Sequence, residues 1–404
     1  MAEKERIKIE PDLDFVQDII DNGGESLKKC FQCGTCSVVC NLAKEGSPFP
    51  RKEMIWAQWG LKEKLACDPD VWNCFQCGDC TAYCPRGAKP GDVLGAVRKK
   101  VIESLAWPAF MGKAVANPQN LIWLIALPVL ILGAIVLING TGFMNERPII
   151  YGHMISHIQM NVVFPLFLGI AVLAFLMGIN KMIQGSTGES ALSWVSRAEK
   201  PRLTQAVTDV IRDIITHKDF DECETNKWRR LAHMLVFYAF IGLLATTALA
   251  IVVLVMAEYL HNDALGHYPL SWYHPIKWLG NASAIALIAG TIIMLKERKA
   301  READDQISTS YFDSFFIWLI LLVGVTGFVA QLIRLIDGPP ILGYPIYFIH
   351  LVLVFELIIY APYTKFAHFV YRTVALILAR YRELGEAQVT SEAPAAAEEE
   401  PAAA

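Results

Sequence analysis

Six long apolar runs, at about 120–139, 162–180, 231–257, 276–295, 313–336 and 345–376, constrain this chain more than any other feature. Each is long enough to cross the hydrocarbon core of a bilayer as a helix, which takes about 20 residues. The first hundred residues hold no such run, yet they hold nine of the ten cysteines. The expected architecture is all-α: a cysteine-rich head over 1–110, a six-helix transmembrane bundle over 111–384 and a disordered tail over 385–404. The tail VTSEAPAAAEEEPAAA lacks apolar periodicity and carries four of the acids behind the net charge of −4, so that charge says little about partners.

Loop charges set the expected orientation. Residues 181–230 hold nine Lys and Arg, and Lys296, Arg298, Lys299 and Arg301 follow in the next alternate loop. Arg372 at the end of the sixth run and Arg380 and Arg382 after it add to that side, whereas the opposite loops hold only Arg147. Positive charge stays on the cytoplasmic side, so both termini are expected there, with an even number of spans in the inner membrane. The opening MAEKERIKIEPDLDF is charged and has no apolar h-region. In the cytoplasm thiols stay reduced, and clustered cysteines point to metal rather than to disulfides.

The head contains CFQCGTCSVVC (Cys30, Cys33, Cys36, Cys40) and CFQCGDCTAYCP (Cys74, Cys77, Cys80, Cys84). Both have the spacing C-x2-C-x2-C-x3-C of [4Fe–4S] proteins, in which the fourth cysteine ligates the other cluster. Three thiolates on a tight loop cap three irons, and the fourth iron takes its ligand from elsewhere. Carried onto this chain, cluster one takes Cys30, Cys33, Cys36 and Cys84; cluster two takes Cys74, Cys77, Cys80 and Cys40. Zinc sites use paired cysteines and have no need of a third at the same spacing, repeated. Pro85 follows the second run, but Asn41 stands in the matching place of the first. Cys67 and Cys223 lie outside the runs and read as inert thiols. The flanking segments read helical, and the head resembles the α-helical ferredoxin found in succinate dehydrogenase iron–sulfur subunits and in the C-type subunits of heterodisulfide reductase.

His350 and His368 bracket HLVLVFELIIYAPYTKFAH in the sixth run. On one helix, eighteen residues make five full turns, about 27 Å of rise. Both histidines are then expected on one face, one near each leaflet, with Pro362 a candidate bend between them. Intramembrane ionisable groups are functional candidates by default, and beside an iron–sulfur head two such histidines point to haem b. His233, near the cytoplasmic end of the third run, is the expected partner of His368. For an outer haem at His350 the chosen partner is His157, with His274 and a five-coordinate iron as rivals; His153, His261 and His267 lie on the same side. His217 reads as a solvated loop histidine.

Spans two to six resemble the cytochrome b (gamma) subunit of respiratory nitrate reductase, in the His350–His368 spacing and the histidine at the start of span three. That family has a second haem histidine ten residues after the first, where this chain has Leu243. The fusion of a heterodisulfide reductase C-like ferredoxin to a heterodisulfide reductase E-like cytochrome b, over about 15–382, resembles the C-type membrane subunits of quinone-interacting membrane-bound oxidoreductase complexes. The resemblance implies two [4Fe–4S] clusters, haem b, and menaquinone as substrate. It implies two soluble heterodisulfide reductase A-like flavin and iron–sulfur partners, adenylylsulfate reductase as an indirect partner in sulfate reduction, and no nucleic acid.

The expected mechanism is electron transfer between quinone and soluble partners through haem and clusters, with the protein placing and tuning the cofactors. Candidates for the quinone site are the neighbourhood of His350, the outer segment with Tyr273 and His274, and Glu356, the only acid in its apolar run. The aromatic outer segment reads equally as an interfacial belt. The alternative within the class is service to a heterodisulfide or sulfite-pathway reductase. An alternative of another class is an iron–sulfur-regulated transporter, against which no pair of Gly/Pro-broken helices recurs in the two halves.

Overall fold

The computed structural model describes residues 10–44, 46–218, 227–262, 264–265, 270–304, 307 and 310–392, with side chains to 386. His267 and Cys223 lie outside the described residues, as does the tail beyond 392; from 385 to Glu392 the chain is helical. The described residues form helices and turns, with a single isolated bridge between Lys44 and Ser47 and no strand. They divide into two compact units. Unit one gathers Met1–Leu105, Leu176–Cys223 and Ala367–Ala404; unit two gathers Ala106–Phe175 and Glu224–Phe366.

In unit one, helix Pro90–Leu105 is the axis of the head. It packs against Leu13–Ile19, Arg51–Gln58, Lys62–Cys67 and the two short helices Asp70–Asn73 and Asp79–Ala82. Its apolar stripe, Val93, Leu94, Val97, Val101 and Leu105, is buried, and each such side chain contributes about 1.5–3 kcal/mol by leaving water. An ionic knot joins the two halves of the head. Lys52 Nζ lies 3.2 Å from Glu53, 3.0 Å from Asp68 and 2.7 Å from Asp70. Burial drives the Glu53 carboxyl up to about 8, with Lys52 pulling it down and Asp68 pushing it further up.

Among the described residues, six helices are long and apolar enough to cross a membrane: Pro118–Asn139, His157–Thr187, Lys227–Tyr259, Pro275–Ala303, Tyr311–Leu335 and Pro340–Ile359. They carry exposed large apolar side chains such as Trp123, Leu137, Leu166 and Leu244, as a multi-pass membrane protein does. Within unit two the third span packs on the fourth, the fourth on the fifth, the fifth on the sixth and the sixth on the first. Leu351, Phe355 and Ile359 of the sixth join Leu124 and Leu132 of the first in one core cluster.

The sixth span corrects the sequence reading. The helix runs from Pro340 to Ile359 and stops; Ala361–Tyr363 form a 3-10 turn, and a new helix begins at Phe366. Proline has no N–H for the helical ladder and disfavours α geometry in the residue before it, so Pro362 ends the helix rather than bending it. The break is tied down, because Tyr360 Oη donates to the Leu124 carbonyl at 2.9 Å and Tyr363 Oη to the Trp107 carbonyl at 2.7 Å. His350 and His368 therefore stand on different helices and in different units, and the five-turn alignment between them is lost. His350 lies mid-span, about 15 Å of rise from Pro340, not near the outer leaflet.

Candidate electron-transfer sites

The two cysteine loops repeat one backbone design. Gln32 and Gln76, between the first two cysteines of each run, have φ of 59° and 51°. Gly34 and Gly78 follow at 87° and 101°, and each caps a one-turn helix, Thr35–Val38 or Asp79–Ala82. Only glycine takes that left-handed region without strain, which is why both runs read C-x-x-C-G. The sequence flags the glycines through their positive-φ chemistry, but nothing in it marks the glutamines.

The first loop opens on a cavity with about 360 Å³ of empty space, lined by Cys30, Cys33, Cys36 and Cys84, with Arg51 and Arg86 on its wall. The cysteine from the distant run is thus brought beside the three local ones. Gln58 fixes the approach to this loop, its side-chain amide donating to the carbonyls of Leu27 and Cys30 at 3.0 and 2.9 Å. The Cys33 thiol is lowered, chiefly by a hydrogen bond with the Thr35 hydroxyl.

At the second loop the thiols act on one another. Burial pushes Cys40 up to about 11, a backbone N–H at Leu42 opposes this, and Cys74 and Cys77 add to the rise. Burial likewise drives Cys80 up, followed by repulsion from Cys74, Cys77, Cys36 and Cys40. Buried thiols that resist ionising, Cys40, Cys77 and Cys80, are what a cationic iron core relieves, since ligation takes the thiolate. The donor set and its crowding fit an iron–sulfur cluster at each loop. Cys36 within reach of Cys80 makes the two sites neighbours.

In unit two, His350 has its ring against Gly327 of the fifth span, where a Cβ would stand 2.7 Å from Cε1. Thr326 Oγ1 donates to the Leu322 carbonyl at 2.6 Å and lies 3.2 Å from His350 Nδ1. The hydroxyl proton is used, so Nδ1–H donates to Thr326 and Nε2 keeps its lone pair. The ring is also engaged by the Val323 backbone; an imidazole oriented by hydrogen bonds from the protein is the usual arrangement of a metal ligand, and it fits a haem iron. Leu243 packs with Ala239, Leu287 and Ile320, so that position serves helix packing. His157 opens the second span with its ring against Gly152. His153 pairs with Glu146.

Of the remaining candidates, His274 is taken up by the fold. His274 caps the fourth span: Nδ1 accepts from the Ile276 N–H at 3.3 Å while Nε2 donates to the Leu265 carbonyl at 3.0 Å. Both nitrogens are engaged. Tyr273 is exposed and sits edge-on to Trp272, and His261 is exposed. His217 is buried rather than solvated, because it takes the left-handed position that ends helix Lys200–Thr216. Glu356 is 3% exposed, one carboxylate oxygen lacks a hydrogen-bond partner among the described residues, and the Tyr311 hydroxyl is in the same condition. The two groups are within electrostatic reach of each other.

Comparison with known proteins places both halves. Residues 26–88 match the family described as 4Fe-4S dicluster domain, and 114–389 match the family described as Citrate utilization protein B. The second match covers more than half of the chain, which therefore belongs to the Citrate utilization protein B family. A protein of Archaeoglobus profundus, named as resembling the C-type subunit of heterodisulfide reductase, is 36% identical over 108 residues, 26% of this chain and 56% of that protein. The C-type subunit of the H(2):CoB-CoM heterodisulfide,ferredoxin reductase of Methanothermobacter marburgensis is 36% identical over 94 residues, 23% of this chain and 50% of that protein. The chain spans about half the length of the curated relatives it matches. No solved structure matches. The head thus matches a 4Fe-4S dicluster domain and is similar to the C-type subunits of heterodisulfide reductase.

Proposed function

We propose that the chain is the membrane electron-transfer subunit of a complex of heterodisulfide reductase type, passing electrons between its membrane-spanning helices and soluble partner subunits through two [4Fe–4S] clusters. Cluster one is held by Cys30, Cys33, Cys36 and Cys84, and cluster two by Cys74, Cys77, Cys80 and Cys40. The observation that carries this reading is the paired loop geometry, in which each run meets the fourth cysteine of the other. The relatives are named as subunits of heterodisulfide reductases, which favours that service over the adenylylsulfate reductase route expected from the fused architecture. Orientation in the inner membrane, head to the cytoplasm, belongs to the same proposal.

A second element is the exchange of electrons with a quinone, menaquinone in the sequence reading, by way of haem b. The haem ligands are His368 and His233 for one haem and His350 for another, with His157 as its assigned partner. Glu356 favours the quinone: a buried carboxyl with an unpartnered oxygen, inside an apolar span, suits a carrier that moves protons with its electrons. A reduced-minus-oxidised spectrum with haem and iron quantitation on the purified chain tests the proposal. Absence of b-type absorbance removes the haem element, and one haem per chain removes the His350 site. Iron well below about eight per chain beyond haem removes the two-cluster reading.

A further inference from the structure

The two cysteine loops share a backbone but not their surroundings. The second is covered by the C-terminal helix of the same unit. Arg372 Nη1 donates to the Trp72 carbonyl at 2.7 Å and lies 3.4 Å from the Cys74 carbonyl, and the guanidinium stands 5.4 Å from the centre of the Phe75 ring. Trp72 is fully buried, two residues before Cys74, and its indole N–H has no acceptor among the described residues. Its ring centre is 5.7 Å from that of His368 and 5.3 Å from that of Tyr371. Among the described residues, the first loop carries no such cover. Phe31 is 67% exposed and Val38 is 87% exposed, Cys33 is exposed, and Arg86 lies over the Phe31 ring at 4.1 Å.

From this asymmetry we propose an order of carriers: cluster two exchanges electrons with the group held at His368, Trp72 lying between them, and cluster one exchanges with the soluble partner. The inference rests on the reading of His368 as a haem ligand and of the two runs as cluster loops. Each step moves one electron from a reduced iron centre to an oxidised one, with no bond made and no proton taken up. Aromatic and backbone atoms in contact shorten the gap an electron crosses, and Trp72 supplies both, since its ring meets His368 and its chain leads to Cys74. The unpartnered indole N–H beside His368 is a donor suited to the acidic edge of a haem.

Arg372 is a positioning residue with an electrostatic consequence. A partly buried guanidinium bonded to the carbonyl of a ligand cysteine favours the more negative, reduced state of the cluster. It holds the potential of cluster two above the value that cluster would otherwise have. Nothing comparable bonds to the carbonyls of the first loop among the described residues, where a neutral amide, Gln58, takes that place.

The test uses the full-length chain, purified with its cofactors, in variants at two positions. An EPR-monitored redox titration of Arg372→Gln should shift the cluster two midpoint to lower potential and leave cluster one unchanged, with Arg372→Lys restoring most of the shift. Trp72→Leu, with Trp72→Phe as the variant that preserves packing, should slow haem-to-cluster transfer at least tenfold in rapid mixing while haem and iron contents stay at their normal values. A shift of cluster one instead, or of neither, overturns the order, as does unchanged transfer in both Trp72 variants. Loss of b-type absorbance from the unmodified chain would be a failure of the haem reading, seen in the static spectrum before either variant is made.

Discussion

The loop around Cys30–Cys36 and the loop around Cys74–Cys80 begin from nearly the same words, CFQCGTC and CFQCGDC, and reach the same backbone. They end in different settings. The first lines an open cavity and is braced by Gln58; the second lies under Trp72 and Arg372. Local sequence determines how a loop offers three thiols, while distant segments determine what lies next to them. Two copies of one motif can thus take different places in an electron path.

Replacing single residues can break or sharpen that contrast. The largest effect is expected from Cys77→Ser, which should remove the second cluster and about half of the non-haem iron, leaving the EPR signal of the first. If both signals disappear together, the two loops fold as one site and the contrast between them fails. In the bundle, His350→Ala should abolish one haem. Thr326→Ala, which removes only the acceptor for Nδ1–H, should weaken that haem by about 10–100-fold, measured by haem retention on dilution. An equal loss in both variants would give Thr326 a larger part than orientation.

Gln58→Ala comes next. It leaves the Cys30 carbonyl without the Gln58 donor and the Leu27 carbonyl with only the Cys30 N–H, at about 1–3 kcal/mol, and should speed the loss of cluster one under chelation while cluster two persists. The smallest effect concerns Glu53. Its carboxyl ordinarily titrates near 4.5 and is pushed up to about 8 in the folded head, first by burial. Between those values the folded state binds more protons than the unfolded one, so stability falls as pH rises through the window and levels off above it. Denaturation of Glu53→Gln should show a flatter profile from pH 4.5 to 8; an unchanged slope would assign the dependence to Asp68.

The grouping of the cysteines was readable because it is written in covalent spacing, and the expectation that each run meets the fourth cysteine of the other comes from the same pattern. The six long helices were readable because a run of apolar residues of sufficient length has few other uses. The end of the sixth was not. Pro362 sits in a segment whose apolarity continues through Phe366 and Val370, so hydropathy runs on where the backbone stops. From that one misreading came the shared face of His350 and His368 and the depth of His350. Arg372 was counted as a loop charge, and its bonds to Trp72 and Cys74 depend on residues some 300 positions away. His274, read as a candidate ligand, is a helix cap, a role that the following Pro275 hinted at.

The central claim is that the chain conducts electrons from the membrane to its iron–sulfur head. The purified chain in proteoliposomes, given a menaquinol analogue without any soluble partner, tests it most directly when cluster EPR signals are followed by rapid freezing. The account predicts that a b-type haem is reduced first, that cluster signals follow, and that Cys77→Ser keeps the first phase and blocks the rest. Clusters that stay oxidised beside a fully reduced haem in the unmodified chain would contradict it.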